Sequence, residues 1–293
     1  MNIDGSSLMC PKVVVVYLAF HPSIDDLAYV NDLAQNVAVI VVSNSGPHDF
    51  GLHVVAEHIF ENNVGVGAGY NAGVMKARDL GASNILFHDQ DSRVDPTTID
   101  AAHDRLGSLL DGGQRAVLSL NPVDIATNTS RTARVTFPVA FGDLFSYQDV
   151  QFSGLLVPWK AFDDWPPFSE DLFVDFVDSA WCWKVARTTK ILRDPSLVIG
   201  HQLGSGTRKI LGVEYSMPSP KRFFFQVRNL VWLAGRPYVP SRWPIQTAGK
   251  FLARSIVLPL LEPEFWSCWK ESVRGVIAGL RDRRAFALSD ELS

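Results

Sequence analysis

Three carboxylates fall within seven residues of "NILFHDQDSRVDP", the stretch from Asn84 to Pro96, directly after an apolar run. A turn rich in Asp often does no more than cap backbone amides, and Pro96 is suited to open a helix. Asp89 and Asp91, however, stand two apart at the mouth of that run and repel each other unless a positive group sits beside them. A hard divalent cation meets that need, and Mg2+ characteristically takes one or two carboxylates together with substrate phosphates. The D-x-D turn therefore points to a nucleoside diphosphate held through a metal ion.

A second acidic cluster lies in "EDLFVDFVDSAW", from Glu170 to Trp181. Asp175 and Asp178 are three apart, which places them on one face if the segment is helical. Phe173, Phe176, Val177 and Trp181 are close by, and apolar surroundings raise a carboxylate's proton affinity toward that of a general base. The plainer reading is a pair of aspartates capping a short helix. Trp181 suits either core packing or stacking on the apolar face of a ligand. His201 in "VIGHQLGSG" follows an apolar run, where a lone histidine is either a ligand or a satisfied core residue. Arg222 and Arg228 in "KRFFFQVRN" can meet phosphate charge or line a solvated helix face.

The elements that must position these residues show in the hydrophobic pattern. "KVVVVYLAF" (Lys12–Phe20) reads as a buried strand, Ser23–Asn36 as a helix with a Ser cap, and Val37–Gly46 as a second strand. His53–Phe60 reads as a third strand, Ala68–Gly81 as a helix with a Gly stop, and Asn84–Asp89 as a fourth strand. The order β-α-β-β-α-β is that of an α/β protein with a mostly parallel sheet flanked by helices. In such sheets ligands bind beyond the carboxyl ends of the strands, where "SNSG", "NNVGVGAG" and "DQDS" fall. "GAGYNA" (Gly67–Ala72) also matches the G-x-G-x-x-A dinucleotide fingerprint of an NAD-dependent oxidoreductase, with Asp89 at the fitting interval. That fingerprint normally follows the first strand, and it leaves Asp91 without a role.

Composition narrows the classes. The 293 residues are 47% hydrophobic and suffice for one large domain or two ordinary ones. Three cysteines, Cys10, Cys182 and Cys268, are odd in number and widely spaced, which predicts free thiols and no zinc site. A net charge of −4 argues against nucleic acid as a partner. No run reaches the ~20 apolar residues of a membrane span, and "MNIDGSSLMCPK" lacks the order of a signal peptide. The expected location is the cytoplasm, including the inner face of the cell membrane.

Taken in order, "VVSNSG", "NNVGVGAGYNAG", "LFHDQDS", "FSGLLVP", "DLFVDFVDSAWCWK", "HQLG" and "SPKRFFFQVRN" resemble bacterial rhamnosyltransferases of the inverting family-two nucleotide-sugar glycosyltransferases. The resemblance spans about residues 12 to 233. It implies a GT-A (Rossmann-like) fold and transfer of L-rhamnose from dTDP-L-rhamnose, or of a sugar from another dTDP or UDP donor. The acceptor implied is a hydroxyl of a cell-surface polysaccharide or a lipid-linked oligosaccharide, and the cofactor Mg2+ or Mn2+.

Carried over by position, Asp91 is the direct metal ligand, Asp89 holds the ribose or shares the metal, and His201 contacts metal or diphosphate. Asp178 is the catalytic base, with Asp175 as its substitute. Tyr17, Ala19, Ser43 and Asn44 border the nucleotide, Asn63, Gly65 and Asn71 shape the loop and helix beside the base, and Ser153 and Gly154 open the sugar pocket. Trp181, Arg222 and Arg228 complete the substrate contacts. Five positions depart from the family pattern, two of them, Phe224 and Phe225, mildly, standing where Tyr is frequent. Ser43 stands where Asp is usual, Ala180 where a second acid follows the base, and Lys184 where Arg is usual. The departures at Ser43 and Ala180 motivate an alternative, a non-catalytic homologue that binds sugar nucleotide or glycan.

The tail differs in character. Residues 241–293 carry 8 Lys and Arg against 6 Asp and Glu, a balance of +2, which leaves −6 for the remainder. In "FWSCWKESVRGVIAGLRDRR", Trp266, Trp269, Val273, Val276, Ile277 and Leu280 recur at helical spacing, with Lys270, Arg274, Arg281, Arg283 and Arg284 outside that stripe. Such a helix packs on the catalytic domain, pairs with a second copy, or lies on an anionic membrane. Prolines 237, 240 and 244 mark a boundary between a transferase domain, 1–235, and a C-terminal helical extension, 236–293. Within the domain, about 1–96 is the nucleotide-sugar half and about 97–235 the acceptor half.

Overall fold

A computed structural model describes residues 11–292 except 52, 126, 128, 131–137, 202–206, 211–212, 217–218 and 258–264. The expectations for the N-terminal segment with Cys10, and for the "QLGSG" run after His201, lie outside the described residues.

Strand β1 (Val13–Ala19) is buried along its whole length, the pattern of a strand covered on both faces. It pairs in parallel with β2 (Ala38–Ser43) on one side and β4 (Asn84–Asp89) on the other, and β2 pairs in parallel with β3 (Ala56–Ile59). The two crossovers are α1 (Ile24–Leu33) and α2 (Val66–Asp79). A reciprocal capping box between Ser23 and Asp26 starts α1. Because all four strands run the same way, Ala19, Ser43, Ile59 and Asp89 end at one edge.

Beyond β4 the sheet is mixed. β10 (Leu155–Val157) lies antiparallel between β4 and β6 (Ala116–Asp124), β11 (Lys190–His201) runs parallel to β6, and β9 (Leu144–Tyr147) and β8 (Val139–Phe141) follow antiparallel. β7 (Thr129–Ser130) adds to β6, and β12 (Thr207–Ile210) with β13 (Val213–Ser216) forms a separate hairpin. β5 (Ser92–Arg93) comes directly after the acidic turn and pairs with the end of β11, setting His201 opposite Ser92. Asp95 then caps α3 (Pro96–Asp111), with Pro96 in its first turn.

Core packs on both faces of the sheet. One face also receives α4 (Val177–Val185), α5 (Pro220–Leu233), α6 (Trp243–Val257) and α7 (Phe265–Leu292). Trp243 and Phe286 are buried in the same apolar cluster as β1 and β4, so the C-terminal helices complete the core. A Cβ on Gly275 would come within 2.6 Å of the Phe224 carbonyl and one on Gly279 within 2.8 Å of Val231, so only glycine permits α7 to lie this close to α5. Lys184 pairs with Asp290 at 2.9 Å and thereby ties α4 to α7; this is what the lysine does where arginine was expected.

The glycines of "GAGYNA" have packing duties. A Cβ on Gly67 would stand 2.7 Å from the Ser169 carbonyl, and one on Gly69 2.6 Å from Leu18. These close approaches explain the pattern without a dinucleotide.

Candidate active site

The acidic turn owes its place to the end of β4. Asp89 closes the strand, Gln90 and Asp91 turn, and Ser92 starts β5. Ser153 Oγ accepts from the Asp89 amide at 3.2 Å and donates to Ser92 Oγ at 2.7 Å, while Ser92 Oγ lies 3.1 Å from His201 Nδ1. Arg93 steadies the same turn by donating to the Gln90 carbonyl at 2.6 Å and pairing with Asp26 at 2.7 Å. The outcome is that His201 Nδ1 stands 3.4 Å from Asp91 Oδ1. Asp89 is held from the other side, accepting from the Tyr70 hydroxyl at 2.5 Å. Tyr70 is a residue that sequence reasoning passed over, although it sits inside the quoted "GAGYNA".

Burial, and then the charge of Asp91, pushes Asp89 up to about 6. Asp91 is raised as well, chiefly by burial. Two carboxylates that resist ionising side by side fit a site for a cation. Among the described residues no three His, Cys, Asp or Glu side chains form a ready-made cage. Asp91 with His201, and the free side of Asp89, suit an ion whose remaining ligands are phosphate oxygens and water.

The second cluster is built differently. α4 begins at Val177, so Asp175 precedes the helix and the two aspartates do not share a helical face; that expectation fails. Phe173, Asp175 and Phe176 all have positive φ, at 64°, 60° and 66°. Side chains other than glycine adopt that conformation only where surroundings impose it. Asn229, fully buried in α5, imposes it: its amide nitrogen lies 2.9, 2.8 and 3.0 Å from the carbonyls of Leu172, Val174 and Asp175. Arg222 holds Asp175 through a bidentate contact at 3.0–3.1 Å, and Gln226 adds a bond at 3.2 Å. Asp175 is thus already engaged by Arg222 and Gln226.

Asp178 sits in the first turn of α4 and accepts from the Ser179 amide at 2.8 Å. Burial drives its carboxyl up to about 7, and Asp149 contributes. Ser179 links the two acids, because its hydroxyl donates to Asp149 at 3.1 Å. Ala180, where a second acid was expected, is fully buried in the core, so the neighbouring negative charge comes from Asp149 instead. Asp149 lies outside every quoted motif, and Asn229, although it ends "KRFFFQVRN", carried no assigned role, since both act across the fold.

Asp89, Tyr70, Asp175, Asp178, Ser179 and Arg222 border one cleft of about 340 Å³. Several other expected contacts are corrected. Tyr17 and Ala19 are wholly buried beneath the turn, where the Tyr17 ring packs against Tyr29 and His88. Ser43 is buried and donates to the Gly46 carbonyl at 2.6 Å, and Asn44 bonds the Gly65 carbonyl at 3.0 Å. Asn63 accepts from the Gly65 amide at 2.8 Å, and Gly65 needs its positive φ of 92° to pass 2.6 Å from the Phe173 carbonyl at the Cβ position. Asn71 clamps Phe168 and Glu170. These residues shape the loops without reaching the cleft.

On the sugar side, Ser153 braces the acidic turn and Gly154, at φ 86°, packs against Leu120 and Ile199; Gln151 and Phe152 line the cleft in their place. Trp181 is 1% exposed and stacks at 6.0 Å on Trp165, with its indole nitrogen bonded to the Pro166 carbonyl. It is core, unable to stack on an acceptor. Arg228 spends its guanidinium on the Asp171 and Leu172 carbonyls and on the Trp232 ring, 4.0 Å from its centroid. It therefore does not meet phosphate.

The mostly parallel sheet flanked by helices, with an acidic turn at its carboxyl edge, is a GT-A fold. No family model matches the chain. It is 23% identical over 290 residues to the dTDP-rhamnosyl transferase RfbF of Shigella flexneri, across 93% of this chain and 97% of that protein. Among solved structures it is similar to GalNAc-T7 with UDP, GalNAc and Mn2+, with a TM-score of 0.50 and 10% identity over 82% of this chain. The match takes in 54% of that structure, so the chain spans about half its length. The chain is a glycosyltransferase with a GT-A fold, similar along nearly its whole length to a bacterial dTDP-rhamnosyl transferase.

Proposed function

We propose that this protein is a metal-dependent inverting glycosyltransferase that moves L-rhamnose from dTDP-L-rhamnose to a hydroxyl of a cell-surface glycan or lipid-linked oligosaccharide. The reading rests above all on Asp89 and Asp178 bordering the same cleft. Its donor is motivated by the similarity to the dTDP-rhamnosyl transferase of Shigella flexneri.

Asp91 and His201, with Asp89, would hold Mg2+ or Mn2+. When bound, the ion neutralises charge that develops on the departing diphosphate. Asp89 is oriented by Tyr70 and Ser153, so the acidic turn is set before the donor arrives. Across the cleft Asp178 takes the proton of the acceptor hydroxyl while that oxygen attacks the anomeric carbon. Its proton affinity, near neutral pH, suits a general base. One displacement inverts the configuration. Arg222 fixes Asp175 at the rim and keeps a positive charge beside the cleft.

The test is release of nucleoside diphosphate from dTDP-L-rhamnose and from UDP-sugars, with and without Mg2+ or Mn2+. Ion-dependent turnover that favours the dTDP donor supports the assignment. Thermal stabilisation by the donor without any turnover would instead identify a binding protein.

A further inference from the structure

The buried side of α7 leaves an apolar stripe facing outward. With Gly275 and Gly279 against α5, the opposite side exposes Trp266 (71%), Trp269 (50%), Val273, Val276, Ile277 (60%) and Leu280 (63%). At ~100° per residue these six fall within about a third of the helix circumference, over a length of ~21 Å. Lys270, Arg274 and Arg281 follow one another along one edge of the stripe, and Arg284 extends it. From Trp266 to Arg284 there are five basic residues and two acids, Glu271 and Asp282, a balance of +3 in a chain of −4. Those acids pair with Arg274 and Arg281 on the surface, where such pairs are weak and exchange readily.

We propose that this face of α7 is a docking surface for an anionic lipid bilayer. Tryptophan on an apolar strip edged by arginine is the pattern of a helix lying at the headgroup boundary. A second copy of the chain would bring the same basic edges together, so charge favours lipid over self-pairing. The placement agrees with this. α7 runs parallel to α5, with Gly275 against Phe224 and Val227 and Phe286 stacked on Trp232. Arg222, in the first turn of α5, borders the cleft, so the tryptophan pair lies at the cleft end of the helix pair. A bilayer at this face meets the protein beside the cleft, where a lipid-linked acceptor would be presented. The inference stands on the surface alone and holds whichever sugar is transferred.

The experiment is sedimentation of the full chain with vesicles, without donor. Vesicles of phosphatidylcholine containing about one quarter phosphatidylglycerol should carry the protein down, and phosphatidylcholine alone should not. Raised salt should weaken binding. The double variant Trp266→Ser, Trp269→Ser should lose at least tenfold in vesicle affinity while keeping a cooperative thermal transition, because both side chains are at least half exposed. The triple variant Lys270→Gln, Arg274→Gln, Arg281→Gln should lose the preference for anionic lipid. Equal binding by parent and tryptophan variant overturns the proposal. So does a parent dimer, in light scattering, that the tryptophan variant dissociates, since it assigns the face to a second copy.

Discussion

The two acidic clusters use the same residue type but are supported in opposite ways. Asp89 and Asp91 stand at the end of a regular strand, and their position follows from a parallel sheet whose edges align. Asp178 is set by a segment with three non-glycine residues at positive φ, which Asn229 and Arg222 hold from another helix. The first cluster rests on regular strand backbone and is braced across the sheet by Ser153 and His201. The second stores strain and depends on contacts some fifty residues away in sequence. The comparison teaches that a carboxylate for binding charge can rest on secondary structure, whereas one that must be desolvated needs a dedicated support.

The sharpest test replaces the second cluster's reactive atom and leaves its support alone. Asp178→Asn should lower kcat by ~10²–10⁴-fold, with donor affinity in calorimetry within about twofold. Unchanged turnover would remove Asp178 from the role of base. Asp91→Asn strikes the first cluster: the metal concentration for half-maximal turnover should rise by ~10–100-fold, and chelation of divalent ions should stop turnover of the parent.

The supports themselves can be compared. Asn229→Ala takes this partner from the Val174 and Asp175 carbonyls, leaving the Leu172 carbonyl to Arg228, and should cost ~2–3 kcal/mol in denaturant unfolding, with kcat falling more than tenfold. Ser153→Ala removes bonds at the first turn and should cost only ~1 kcal/mol, with a smaller kinetic effect. Equal losses at both positions would erase the distinction drawn between the clusters.

The smallest effect is a pH dependence. Burial raises Asp178 from 3.8 to about 7, so between these values the folded protein retains a proton that the unfolded chain releases. The stability this gives is full below pH 3.8 and is lost as pH rises to about 7. Above pH 7 the buried carboxylate is ionised at a cost that asparagine does not incur. Asp178→Asn should therefore gain on the order of 1 kcal/mol over the parent at pH 8, read by thermal melting, and the gap should narrow as pH falls through about 7 and close only below 3.8. Turnover by the parent should rise with pH through about 7.

The first four strands and the helices between them were legible because local chemistry and tertiary role agree there. Asn84–Asp89 is a strand over the range its pattern predicted, and Ser23 caps α1 as expected. Many assigned contacts failed for one reason. A motif fixes position along the chain but not which way a side chain points, and Trp181, Tyr17 and Ser43 all turn into the core. The tail shows both results at once. Its apolar stripe was visible, but the buried side of the helix is marked only by Gly275 and Gly279, which carry no hydrophobic signal.

By itself the sequence determined a parallel α/β half, an acidic turn at its edge and a separate carboxylate in apolar company, because hydrophobic period and charge spacing are local properties. Only the tertiary structure decided that β5 pairs with β11 to bring His201 to Asp91, that Asn229 bends the chain to aim Asp178, and that both acids border one cleft. Those outcomes depend on contacts between residues roughly fifty to more than one hundred positions apart, which burial of the shared core fixes and no local pattern encodes.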